Sequence, residues 1–295
     1  MSTNFAIVID STSDLPPSIA NELDMTVVPY IYTLDGKEYL NYLDYREQPI
    51  KIFYDTLRAG KTASTTQVTT HRYREIWDPI LQAGTDILYI CLSSGLSKSY
   101  DQSVMAAREA AEDFPGRKIV TIDSKSASLG QGLLSYYAGK ARQDGKNLDE
   151  TAAYLEGIVP MMQIWVMADD LNHLRRGGRV SGASAFVGTM LSIKPVLTIT
   201  DEGKLVPVSK QRGRSKAIDY IVGRMSELNM NPKDQTIFIA HSDALEMAEQ
   251  MKAMIVERHG IKDIVINDIG PVIGAHTGPG SLAMVFLGDK RHTVS

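Results

Sequence analysis

Cysteine is almost missing from this chain: Cys91 is the only one among 295 residues. A single thiol excludes an intrachain disulfide framework and any Cys-rich zinc site, and it fits a reducing compartment. Cys91 stands inside the apolar run DILYICL and reads as a core thiol. Basic charge is not in excess either, since 31 Lys and Arg against 35 Asp and Glu give a formal net charge of −4. No overall positive field draws the protein to nucleic acid or anionic lipid, and such binding would need a local patch. Nowhere do ~18 apolar residues follow one another without charge, so no membrane-spanning helix is expected. The segment MSTNFAIVIDSTSD has no basic leader and only the five-residue apolar run FAIVI, so no secretory signal is expected and a cytoplasmic location is.

Several catalytic signatures are also lacking. Gly60-Lys61-Thr62 resembles the end of a phosphate-binding P-loop, but Asp55 stands where its first glycine is required and FYDTLRA before it reads as a helix. No GxGxxG follows the first strand, which removes a nicotinamide or flavin fingerprint. In VIDSTSD, Asp10 ends a strand, yet Thr12 stands where an aspartyl-phosphate phosphatase would need a second aspartate, so Asp10 reads as ordering its loop. His71, His173, His241, His259 and His292 form no HExxH-type pattern, and neither metal nor cofactor is expected.

What is present is an ordinary globular composition, 43% apolar and 22% charged. Short apolar runs (FAIVI, TVVPYIY, ILYICL, KIVTI) alternate with helical patterns over about 70–82, 97–113, 127–143 and 148–162. This alternation predicts a layered α/β domain. After QIWVMA the pattern changes to LNHLRRGGRVSG, a small-residue helical segment around 183–191, and two strand-like runs, SIKPVLTI and KLVPVS, with a DEG turn between them. A helix at about 213–228, the strand TIFIAH, a helix at 243–259, the strand DIVIND and the final apolar run SLAMVFLG complete a second α/β unit. The expectation is two α/β domains, 1–162 and 163–295, the second with a mixed, partly antiparallel sheet, and a ligand crevice between them.

Two hydroxyl-rich stretches precede helices: TASTTQVTT at 62–70 and SSGLSKSY at 93–100. Hydroxyls and backbone N–H groups at a helix start can cap the helix or can hold a carboxylate or phosphate. GLSKS has serine where the GxSxG nucleophile elbow needs its second glycine, which weakens a hydrolase reading. GPVIGAHTGPG surrounds His276 with glycines and suggests a loop where backbone approaches a ligand, the imidazole acting as an adjustable donor. RRGGR at 175–179 and KQRGRSK at 210–216 are dense basic clusters that read as solvated faces, as an RNA contact, or as a docking face for a protein that carries ATP. The lack of interleaved aromatics and the acidic total argue against nucleic acid.

The motifs IVIDSTSDLP, TTQVT, SSGLSKSYDQS, LRRGGRVS, GTMLSIKPVL, DEGKLVPVSKQRGRSKA and GAHTGPGSLA, in this order, resemble the DegV family of bacterial fatty-acid-binding proteins from end to end. The resemblance implies two α/β domains, a fatty acid threaded into a tunnel with its carboxylate at the domain interface, and a partner kinase that phosphorylates the bound acid. It implies that Thr65 and Ser97 hydrogen-bond the carboxylate, that His276 lies near it, and that Arg212 faces the kinase. Thr66, Ser94, Gly95 and Lys98 are further candidates for the head-group loops, and Phe186, Leu191 and Ile273 for the acyl tunnel. Thr66, Val68, Lys98 and Ser99 depart from the family pattern, while the hydroxyls at 65 and 97 are kept. The implied role is a non-catalytic lipid-binding subunit without stable membrane insertion, its membrane contact limited to lipid exchange. The alternatives are an acyl hydrolase or acyltransferase using Ser97 and His276, and a regulatory binding module. Physics favours an enclosed carrier: at ~0.8 kcal/mol per methylene, a chain of about fifteen has a gross transfer term near 12 kcal/mol before ordering costs.

Overall fold

Runs rich in Ile, Val and Leu separate the helical segments, and they assemble into three sheets. The computed structural model describes residues 5–180, 192–228 and 235–291. A parallel sheet contains β1 (Phe5–Asp10), β2 (Met25–Val28), β6 (Asp86–Cys91) and β7 (Ile119–Asp123), ordered β2-β1-β6-β7. Parallel sheets need cover on both faces, and β1 and β6 are buried nearly throughout. An antiparallel sheet ordered β4-β3-β5 is made by β3 (Tyr30–Leu34), β4 (Lys37–Asn41) and β5 (Ala63–Thr66). TVVPYIY, read as one strand, is therefore two. Pro29 has no N–H for a ladder, and the chain leaves one sheet before it and enters another after it. TASTT, read as loop, is largely strand β5, with Thr65 opposite Tyr32.

The third sheet is mixed, in the order β10-β9-β8-β13-β11-β12. Its strands are β8 (Met162–Met167), β9 (Ile193–Ile199), β10 (Leu205–Arg212), β11 (Ile237–His241), β12 (Ile264–Asp268) and β13 (Leu282–Leu287). The expected hairpin of β9 and β10 is antiparallel, and β11 with β12 is parallel. The α/β class with a mixed, partly antiparallel sheet in the C-terminal half is thus the expected one. The helical segment expected at 183–191 lies outside the described residues.

Ten helices are described: α1 (Pro17–Glu22), α2 (Ile50–Arg58), α3 (Thr70–Gln82), α4 (Ser99–Asp113), α5 (Leu129–Gln143), α6 (Leu148–Ile158), α7 (Leu171–Gly177), α8 (Arg214–Glu227), α9 (Leu245–His259) and α10 (Pro271–Thr277). α6 starts with a reciprocal Asn147–Glu150 capping box. The period-2 alternation of the third sheet sends Trp165, Met167, Ile239 and Met284 to a core with α8 and α9. The intervening Ile164, Val166, Phe238, Ala240, Ala283 and Val285 face α5 and α6. The same core holds Ile7 and Ile9 of β1 and Leu88 and Ile90 of β6, so α5 and α6 lie between the parallel sheet and the mixed one.

Candidate functional site

Between the inward face of the mixed sheet and the loops after β5 and β6 lies a cavity of about 550 Å³, a size typical of small-molecule sites. Ile164, Val166, Ile199 and Val285 form an apolar wall, and Leu129 and Gly130 at the start of α5 close the opposite side. Room exists because Ala240 and Ala283 face each other in the β11–β13 ladder and end at Cβ, where the next row is filled by Phe238 and Val285.

Polar groups gather at one end. β5 brings Thr65 and Thr66, the β6–α4 loop brings Ser94, Gly95, Ser97 and Lys98, and α10 brings Ile273 and His276. All the expected head-group residues therefore border one cavity, as does Ile273. His276 is not on a loop, as expected from its glycines, but in the last turn of a short helix that Gly270 and Pro271 start. The glycines around it serve close packing: a Cβ on Gly274 would lie 2.6 Å from Tyr54 Oη, and one on Gly177 would lie 2.3 Å from His276 Nδ1.

His276 Nε2 is 2.9 Å from Thr65 Oγ1. Its buried Nδ1 has no hydrogen-bond partner among the described residues. Burial, followed by the nearby Arg179 guanidinium, pushes the imidazole down to about 4, so it is neutral at physiological pH. The Ser97 hydroxyl accepts from the Ser99 N–H at 3.2 Å and donates to Ser99 Oγ at 3.0 Å. Ser99 Oγ in turn accepts from the Val68 N–H at 3.1 Å, tying the two hydroxyl-rich stretches together. Ser94 Oγ accepts from Lys125 Nζ at 3.0 Å. Lys98, expected to add charge near the head group, is an exposed cation paired with Asp101 at 3.2 Å in the first turn of α4. A Cβ on Gly95 would meet the backbone of Glu202 and Gly203 at 2.6 Å, and Ser93 Oγ donates to the Gly203 carbonyl at 2.8 Å, so the β9–β10 turn clamps this loop.

Among the cavity residues that the sequence reading missed, Arg179 and Tyr30 bring polar groups. Arg179 borders it, although RRGGR reads as a solvated face; the signal was Gly177, whose bare Cα lets His276 approach. Tyr30 also borders it, with a buried hydroxyl that has no partner among the described residues. Burial raises that phenol well above its ordinary value and keeps it a donor. Nothing in TVVPYIY marked it. Arg212 stands elsewhere, exposed at the end of edge strand β10. Phe186 and Leu191 lie outside the described residues. Among the described residues no cluster of three His, Cys, Asp or Glu could hold a metal ion, and no helix is long and apolar enough to cross a membrane.

A DegV domain-containing protein of Clostridium perfringens is 42% identical over 287 residues, spanning 97% of this chain and 98% of its own length. A DegV family protein from Thermus thermophilus, solved for its fatty acid binding, superposes with a TM-score of 0.86 at 28% identity, covering 97% of this chain and 99% of that one. A fatty acid binding DegV family protein from Streptococcus agalactiae superposes with a TM-score of 0.85 at 27% identity, covering 98% and 100%. The family model described as "Uncharacterised protein, DegV family" matches residues 4–289. With a match across nearly its whole length and the family's three-dimensional shape, the chain belongs to the DegV family.

Proposed function

We propose that this protein binds one long-chain fatty acid, with its hydrocarbon chain in the cavity and its carboxylate at Thr65, Ser97 and His276, and presents that carboxylate to a separate ATP-dependent kinase. The observation that carries the reading is the polarity gradient of a single cavity, apolar along the sheet and lined at one end by hydroxyls and a neutral imidazole. An ionised carboxylate leaving water needs several donors. Thr65, Ser97 and Tyr30 can supply hydroxyls, and Arg179 supplies nearby positive charge. The relatives whose solved structures are described as fatty-acid-binding support the same ligand class.

The hydrolase alternative needs Ser97 to give its proton to His276 and a third group to orient the imidazole. Instead Ser97 donates to Ser99, His276 pairs with Thr65, and Nδ1 faces no acceptor among the described residues. A carrier fits this wiring better. Phosphoryl transfer requires nucleotide and metal clamps, and the chain carries no familiar nucleotide motif, so the chemistry is assigned to the partner. The test is mass spectrometry of material released from purified, denatured protein: a stoichiometric fatty acid is expected. Absence of any acid, together with failure to take one up from solution, would remove the reading. ATP consumption with fatty acid and no kinase added would contradict the carrier role.

A further inference from the structure

A second hollow, of about 490 Å³, opens at the surface beside the C-terminal half of α5. Its walls include Tyr136, Tyr137, Lys140, Tyr154 and Thr236. Helix α5 borders both hollows, and strand β11, which borders the inner one, begins just after Thr236 of the outer. Along β11, Ala240 faces the central cavity, and Phe238, two residues before it, points to the same side by the period of two. Along α5, Leu129 and Gly130 face the cavity, while Tyr136, Tyr137 and Lys140, two turns on, face the groove. Across the sheet, the cavity row of Ile164 and Val285 continues to Phe238 as the next cross-strand partner.

Phe238, next in the row after the cavity-lining Val285, packs its ring against the groove-lining Tyr136 at 5.7 Å between centroids. Phe238 is fully buried, but Tyr136 is half-buried and its far side faces the open groove. Tyr137 and Tyr154 continue the line of rings, 6.5 Å apart and edge-on. Aromatic faces offer apolar surface even where their hydroxyls are wet.

We infer that Phe238 and Tyr136 form a displaceable plug at the tail end of the acyl tunnel, and that an acid too long for the cavity moves Tyr136 outward and lays its methyl end on the tyrosines of the outer groove. This rests on the fatty-acid reading above and adds a chain-length determinant to it. Extra methylenes would then find a wall to cover instead of a blind end.

The experiment compares hexadecanoic and docosanoic acid by direct titration on the wild type, Phe238→Val and Tyr136→Ala, with circular dichroism melts to select folded variants. The ratio of docosanoic to hexadecanoic affinity is expected to rise at least about tenfold when the plug is thinned, since each added buried methylene strengthens binding. A ratio unchanged in both variants overturns the plug. On the wild type, docosanoic acid carrying a terminal diazirine should label Tyr136, Tyr137 or Tyr154, whereas the same group on hexadecanoic acid should label only the inner cavity. Label from the long probe confined to residues such as Val285 or Ile199 overturns the proposal without any mutation. A wild type that binds neither acid removes the fatty-acid reading itself, and the plug with it.

Discussion

At neutral pH the His276 imidazole is uncharged, and folding holds it so. Its value falls from 6.5 to about 4 on burial. Between these pH values the unfolded chain carries a proton that the folded chain does not, so stability is full above about 6.5 and declines as pH falls toward 4. The loss attributable to His276 is on the order of 3 kcal/mol. Urea midpoints measured through this window should fall with pH in the wild type and less steeply in His276→Gln, which keeps a hydrogen bond to Thr65. Asp14, whose carboxyl is raised by burial, acts in the opposite direction in both proteins and cancels in the comparison. Equal slopes would show that the imidazole is not held neutral. A second residue-scale expectation concerns the ligand: replacing Thr65 and Ser97 together with alanine should weaken fatty-acid binding by ~2 to 5 kcal/mol, because two charge-assisted hydrogen bonds are lost in a partly dry site. Unaltered affinity in a calorimetric titration would take the carboxylate away from this end of the cavity.

Among the elements, α7 and α10 are placed by what they lack. The bare Cα of Gly177 admits His276, and the bare Cα of Gly274 admits Tyr54. Gly177→Ala should push the imidazole off Thr65, lower stability by ~1 to 3 kcal/mol and weaken ligand binding; wild-type melting and affinity would show instead that the ring relaxes freely. Such packing explains where the sequence was readable. Strands ILYICL and KIVTI and the helices around them carried periodicity over their whole length, and β6, β7, α3, α4 and α5 fall where it put them. Strand β5 did not stand out, because ASTT is polar on both faces and owes its conformation to pairing with β3, a partner some 30 residues earlier that no local pattern reveals. Helix α10 was hidden by glycines that usually break helices but here answer to tertiary neighbours. The hydroxyls of Thr65 and Ser97 were legible through family motifs, whereas Tyr30 and Arg179 reach the cavity only because distant segments meet there.

For the whole molecule, the cavity and Arg212 are separate. Arg212 is exposed at the end of β10 and takes no part in the cavity wall. If it docks the kinase, Arg212→Ala should leave fatty-acid affinity within about twofold and cut coupled acyl-phosphate formation, since losing a desolvated arginine from an interface commonly costs ~2 to 5 kcal/mol. Lysine at 212 should rescue only in part. Both readouts belong on the same sample: a parallel loss would make Arg212 a pocket residue, and full activity in both would make it an ordinary surface charge. A different consequence follows from α5 and α6 lying between the two larger sheets. Each sheet would expose half of the shared core if the other melted, and the buried Gln131 of α5 also donates to the Ile90 carbonyl and accepts from Thr12. On this ground the two sheets should behave as one thermodynamic unit. Scanning calorimetry of the ligand-free protein is expected to give a single endotherm whose van't Hoff and calorimetric enthalpies agree. Two resolved peaks would mean that the layers melt apart, and that opening between them is a route by which a lipid could enter.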